Sequence, residues 1–133
     1  MNIETEVIHL NNDVYEVGTS PSGVTFYIDK KKDGVTPEGP NPLELFLSSL
    51  AGCIAMFAKN YFSMNDLEYS ELKVRSFARL SDDSPKRLVD IKVKIITDAD
   101  VSGKKEVFYR FIENCIVHNT IIKTECVDIE LIS

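Results

Sequence analysis

The chain has 133 residues, 44% of them hydrophobic and 27% charged, with only six glycines and five prolines. That composition describes one core-forming domain over residues 1–133 and excludes collagenous, disordered and low-complexity chains. Fifteen basic against twenty-one acidic residues give a net charge of −6, so no nucleic-acid partner is expected.

Three cysteines are an odd number and too sparse for a disulfide framework, and they read as intracellular thiols. The first ten residues carry Glu4 and Glu6 and lack the apolar stretch of a signal peptide. The longest uncharged run, Leu45–Ala58, has fourteen residues, too few to span a bilayer. The expected location is the cytoplasm, with no membrane partner.

In chain order, Ile3–Leu10, Val14–Gly18 and Val24–Ile28 are short β-favouring runs. Asn11-Asn12-Asp13 and Ser20-Pro21-Ser22-Gly23 separate them as turns. Lys30, Lys31 and Lys32 precede the turn signal Asp33-Gly34 and read as a solvated loop. Gly39-Pro40-Asn41-Pro42 then opens a helix. Asn41 fits its N-cap, Pro42 its first position, and Glu44 completes a capping box. From Leu45 to Phe62 this helix is apolar on nearly every face, which asks for burial on all sides. A dimer, or a curved sheet wrapped around it, would supply that cover.

Leu72–Leu80 and Leu88–Ile95 alternate with the period of strands whose sheet has one wet face, and the turn Ser81–Pro85 suits an antiparallel hairpin. A second helix is expected to start after Asp100 or Ser102. Val107, Phe108, Phe111, Ile112, Cys115 and Ile116 form its apolar stripe, and Asn119-Thr120 ends it. Val127–Ile132 reads as a closing strand, with Cys126 packing just before it. The class is α+β.

Only His9 and His118 are histidines, and no two cysteines stand at metal-ligand spacing, so neither a metal nor a cofactor is expected. There is no phosphate-binding glycine loop and no nucleophile elbow. Elimination leaves the cysteines. Taken alone, Cys53 reads first as a small buried hydrophobe. Cys115, on the stripe of the second helix, faces the core as well. His118, one turn after Cys115, is in place to favour its thiolate, but it reads more simply as a cation at a helix C-terminus.

The run Gly39-Pro40-Asn41-Pro42-Leu43-Glu44-Leu45-Phe46-Leu47-Ser48-Ser49-Leu50-Ala51-Gly52-Cys53 resembles the first-cysteine helix of the OsmC/Ohr family. These are the osmotically inducible and organic-hydroperoxide-resistance proteins. Glu113-Asn114-Cys115-Ile116-Val117-His118-Asn119-Thr120 resembles the family's second-cysteine helix, where a proline more often stands in place of Ile116. The resemblance implies an OsmC-like fold, with curved antiparallel sheets around two central helices in an intertwined homodimer. It also implies reduction of organic hydroperoxides by thiols, part of oxidative-stress defence. Cys53 would be the peroxidatic thiolate and Cys115 the resolving thiol, with an external dithiol as reductant.

The family's peroxidases activate the thiolate with an arginine from the N-terminal hairpin, positioned by a glutamate ten residues before the cysteine. In this sequence no arginine precedes Arg75, and Leu43 holds the glutamate's position. Glu44 is nine residues before Cys53, which at about 100° per residue puts it on the far side of the helix. The departure opens an alternative, a non-catalytic OsmC-like protein binding a small hydrophobic or thiol-bearing molecule in a cleft at the dimer interface.

Overall fold

In the computed structural model, which describes residues 1–123 and 127–132, the first turn forms as its composition asks. Asp13 takes a left-handed backbone (φ 56°), and the Leu10 N–H donates across it to the Val14 carbonyl. This folds β1 (Glu4–His9) against β2 (Tyr15–Ser20), antiparallel, with Val7 opposite Val17. Gly23, with φ at 73°, returns the chain as β3 (Thr25–Ile28) along the other edge of β2. All three strands lie within two residues of their expected limits.

The Lys30-Lys31-Lys32 loop is more tied than expected. Lys32 Nζ donates to the Asn12 carbonyl at 2.9 Å and lies 3.2 Å from the Asp29 carboxylate. Asp29 is buried and accepts from the N–H groups of Lys30 and Glu38. The Glu38 N–H, first among these, holds its carboxyl below the usual range. Lys30 and Lys31 remain exposed. Gly39 passes so close to β3 that a Cβ there would overlap the backbone carbonyl of Tyr27.

The chain divides into two compact units, Met1–Phe46 and the part from Leu47 onward. α1 (Pro42–Met64) opens with the expected capping box: Glu44 N–H donates to Asn41 Oδ1 at 2.8 Å, and Asn41 N–H to Glu44 Oε1 at 3.0 Å. The helix extends well past its uncharged run. By length and composition alone its 23 residues would reach across a bilayer. Its Leu50, Ile54, Ala58, Tyr61 and Phe62 instead form one stripe of a protein core. The expected burial on all sides does not occur within one chain, and Met56 on the opposite side is 70% exposed.

β4 (Leu72–Leu80) and β5 (Leu88–Thr97) make an antiparallel hairpin. Val74, Val93 and Ile95 pack on the core, and Ser76 Oγ donates to the Leu47 carbonyl of α1 at 3.0 Å. A bulge shifts the register between Phe77 and Arg79, where Asp90 adopts φ 54°. At the end of β5, Asp98 accepts from the Ser70 hydroxyl and from the N–H groups of Ser70 and Glu71. These bonds hold its carboxyl at about 2. The architecture is α+β with antiparallel sheets, as the sequence implied.

Two expectations are corrected. The second helix is two helices, α2 (Lys105–Ile112) and α3 (Ile116–Ile122). The Val127–Ile132 segment is not a strand in the single chain, because among the described residues no neighbouring strand pairs with it. Cys126 lies outside the described residues.

Candidate thiol site

Aromatic packing fixes α2 on α1. Tyr61 meets Phe108 with ring centroids 5.1 Å apart, Phe62 stacks on Phe108 at 5.7 Å, and Phe57 reaches Phe111 at 6.0 Å. α2 then stops at Glu113. The N–H groups of Asn114 and Cys115 fall back on the carbonyls of Phe111 and Ile112, tightening the last turn. Cys115 takes an extended backbone (φ −49°, ψ 125°) and becomes the N-cap of α3. Its sulfur accepts from the His118 N–H at 3.4 Å.

The break carries Cys115 into the core, where it is fully buried. Cys53, midway along α1, is half-buried and packs against the same cluster. Both thiols are free, and they interact with each other. Burial pushes the Cys115 thiol up, the neighbouring Cys53 thiol pushes it further, and the His118 and Val117 N–H groups pull the other way without prevailing. At neutral pH Cys115 therefore keeps its proton. The structure brings Cys53 and Cys115 together as the sequence suggested.

It corrects His118. This residue stands in the first turn of α3, not at a helix C-terminus, and its Nδ1 donates to the Glu113 carbonyl at 3.3 Å. The backbone N–H of His118, rather than its ring, serves the sulfur. All four arginines, Arg75, Arg79, Arg87 and Arg110, are exposed. Glu44 is engaged in the capping box at the start of α1. Among the described residues, no group of three or more His, Cys, Asp or Glu side chains gathers where a metal would bind. Sequence reasoning missed the α3 N-cap. Its one signal was the departure at Ile116, since proline suits the first residue of a helix.

A family model described as OsmC-like protein matches residues 33–131. The chain belongs to the OsmC-like family. An uncharacterized protein of Methanocaldococcus jannaschii is 26% identical over 112 residues, 82% of this chain and 58% of that protein. The OsmC-like chain thus spans little more than half the length of that relative. An OsmC-like protein from Mycoplasma pneumoniae superposes with a TM-score of 0.78 at 16% identity, covering 93% of this chain and 89% of the other. The organic hydroperoxide resistance protein OhrB of Bacillus subtilis gives 0.60 at 15% identity, with 93% of each chain covered. An organic hydroperoxide resistance protein OsmC from Legionella pneumophila gives 0.61 at 16% identity, covering 91% of this chain and 89% of the other. At these identities the structures establish the shared fold.

Proposed function

We propose that the chain is a thiol-dependent reductase of organic hydroperoxides, acting as a homodimer with Cys53 peroxidatic and Cys115 resolving. The observation that carries this reading is the meeting of the two thiols inside one apolar core, one half-buried and the other enclosed and protonated. The Cys53 thiolate attacks the O–O bond of ROOH, forms an S–O bond and expels RO⁻, which takes up a proton as ROH. Cys115 then attacks the resulting sulfenic acid. The S–O bond breaks, the Cys115 proton goes to the departing hydroxide as water, and a Cys53–Cys115 disulfide remains. An external dithiol reduces it by exchange and is itself oxidised.

The test counts thiols under denaturing conditions before and after one equivalent of an organic hydroperoxide, and maps any new disulfide. Rapid loss of two thiols as a Cys53–Cys115 bridge is expected, with Cys53→Ser inert and Cys115→Ser accumulating a sulfenic acid. Unchanged thiols, or full turnover in Cys53→Ser, would overturn the reading.

The exposure of all four arginines favours one second reading, a binding protein for a small hydrophobic or thiol-bearing molecule. An intact-mass spectrum of protein purified without reductant separates the two. A mass excess removed by dithiothreitol marks a mixed disulfide with such a ligand.

A further inference from the structure

β4 and β5 alternate between residues packed on the core and residues left outside. Their outer face carries Lys73, Arg75, Phe77 and Arg79 from one strand and Lys92, Lys94 and Ile96 from the other. Lys73 is paired with Glu71, and Arg79 with Asp90. Among the described residues no carboxylate pairs with Arg75, Lys92 or Lys94. Arg75 and Lys94 nevertheless stand directly opposite each other, a placement that weakens a strand pair. An anion from outside would relieve it.

Charge is unevenly spread along the chain. Residues 71–94 hold seven of the fifteen basic residues and four of the twenty-one acidic ones, a net +3, while the rest of the chain carries −9. Two apolar side chains share the cationic face, Phe77 at 44% exposure and Ile96 at 36%. Lys94 Nζ lies 5.4 Å from the centre of the Phe77 ring.

These features choose among anionic partners. Single-stranded nucleic acid stacks its bases on aromatic faces, and Phe77, the only aromatic residue of the two strands, is already covered by Lys94 on one side. An acidic peptide answers the cations but offers nothing to Phe77 and Ile96. A bilayer surface of anionic phospholipid answers both, with phosphates for the cations and the headgroup boundary for the ring and the isoleucine. The same surface repels the acidic remainder of the chain, which sets the side that approaches it.

We propose that the outer face of β4–β5 is a peripheral docking surface for anionic phospholipid bilayers. Arg75, Lys92 and Lys94 meet the headgroup phosphates, and Phe77 and Ile96 enter the interface between them. The expectation of no membrane partner rested on the short uncharged run Leu45–Ala58, and a surface contact needs no spanning segment. The docking surface stands apart from the thiol chemistry, so lipid binding and peroxide turnover can each fail without the other.

Cosedimentation of the full-length chain with vesicles tests it. One set is phosphatidylcholine alone, and the other contains about one-third phosphatidylglycerol. Binding is expected to the mixed vesicles only, and it should fall as added salt screens the charges. The triple variant Arg75→Gln, Lys92→Gln, Lys94→Gln should bind about a hundredfold more weakly, at about fivefold per cation. It removes a cross-strand repulsion, so circular dichroism should show it folded. Lys30→Gln with Lys31→Gln, which removes exposed cations outside the hairpin, should bind as the wild type does.

Binding to neither vesicle, equal binding to both, or a triple variant that binds like the wild type would overturn the proposal. An equal loss in the Lys30 and Lys31 variant would also overturn it, because the attraction would then belong to no particular face. Polyglutamate that binds the chain more tightly than vesicles of equal charge would reassign the face to an acidic protein segment and overturn the bilayer.

Discussion

The two units are held by different means. Before Leu47 a three-stranded sheet stands with a single buried hydrophobic side chain, Val17, and every residue of β1 is exposed. From Leu47 onward, Leu50, Ile54, Ala58, Tyr61, Phe62, Phe108, Ile112 and Cys115 gather into one core. A sheet without a second layer cannot exclude water, so the first unit relies on local polar ties and close backbone packing. Asp29 clamps two backbone N–H groups, His9 bonds Asp13 at 2.8 Å, and Gly39 lets two backbone segments touch. The comparison teaches that the same alternating pattern serves two ends: an inner face for a core, and an outer one that still needs cover.

The largest effect that would break this contrast is Phe62→Ala in the second unit. It empties a fully buried site among stacked rings and should cost about 3–5 kcal/mol, read by urea unfolding. In the first unit Gly39→Ala should cost about 1–3 kcal/mol, because the added methyl must push aside the Tyr27 carbonyl. Amide exchange should localise that loss to residues 1–46.

Acid and alkali should separate the units further. The Asp29 carboxyl is held below its ordinary value of 3.8, so its support is complete above that pH and is lost as pH falls through the lowered value. The amides of Lys30 and Glu38 should lose exchange protection there, while Asp98, held at about 2, keeps its charge further down. Cys115 works in the opposite direction. Its thiol is raised above 9.0, so the folded chain keeps a proton that the unfolded chain releases, and stability falls as pH rises past 9.0. Replacing Cys115 with serine should remove that alkaline slope in a pH series of melting curves.

Ile116→Pro should have the smallest effect, and a stabilising one. Ile116 is the first residue of α3, and Cys115 before it already holds the extended backbone that a following proline requires. A gain of about 0.4–1 kcal/mol is expected in melting experiments. A loss would show that the bend at Cys115 is held by something other than local backbone preference.

Much of this was legible from particular residues. Asn41, Pro42 and Glu44 announced the start of α1 because a capping box is local chemistry. The β4–β5 hairpin was equally plain, though no pattern revealed the bulge at Asp90. The break before α3 stayed hidden because Phe111, Ile112, Cys115 and Ile116 keep helical spacing straight through it. Periodicity is blind to such a bend: Cys115 stays buried on one side of it, and Ile116, 70% exposed, leaves the core on the other. The pairing of the thiols was expected from two inward-facing helices, whereas the N–H groups aimed at Cys115 depend on a backbone turn that no spacing encodes. For Val127–Ile132 the alternation was legible, but a strand needs an edge to pair with, and a single sequence does not show one.

Cys115 ends by separating two duties that are usually entangled in a buried cysteine. Its sulfur caps α3, a task at which a serine hydroxyl is the better acceptor. Exchanging sulfur for oxygen there should silence the thiol while leaving the helix as well anchored as before. At this one position the architecture and the proposed reactivity of the chain can be edited independently.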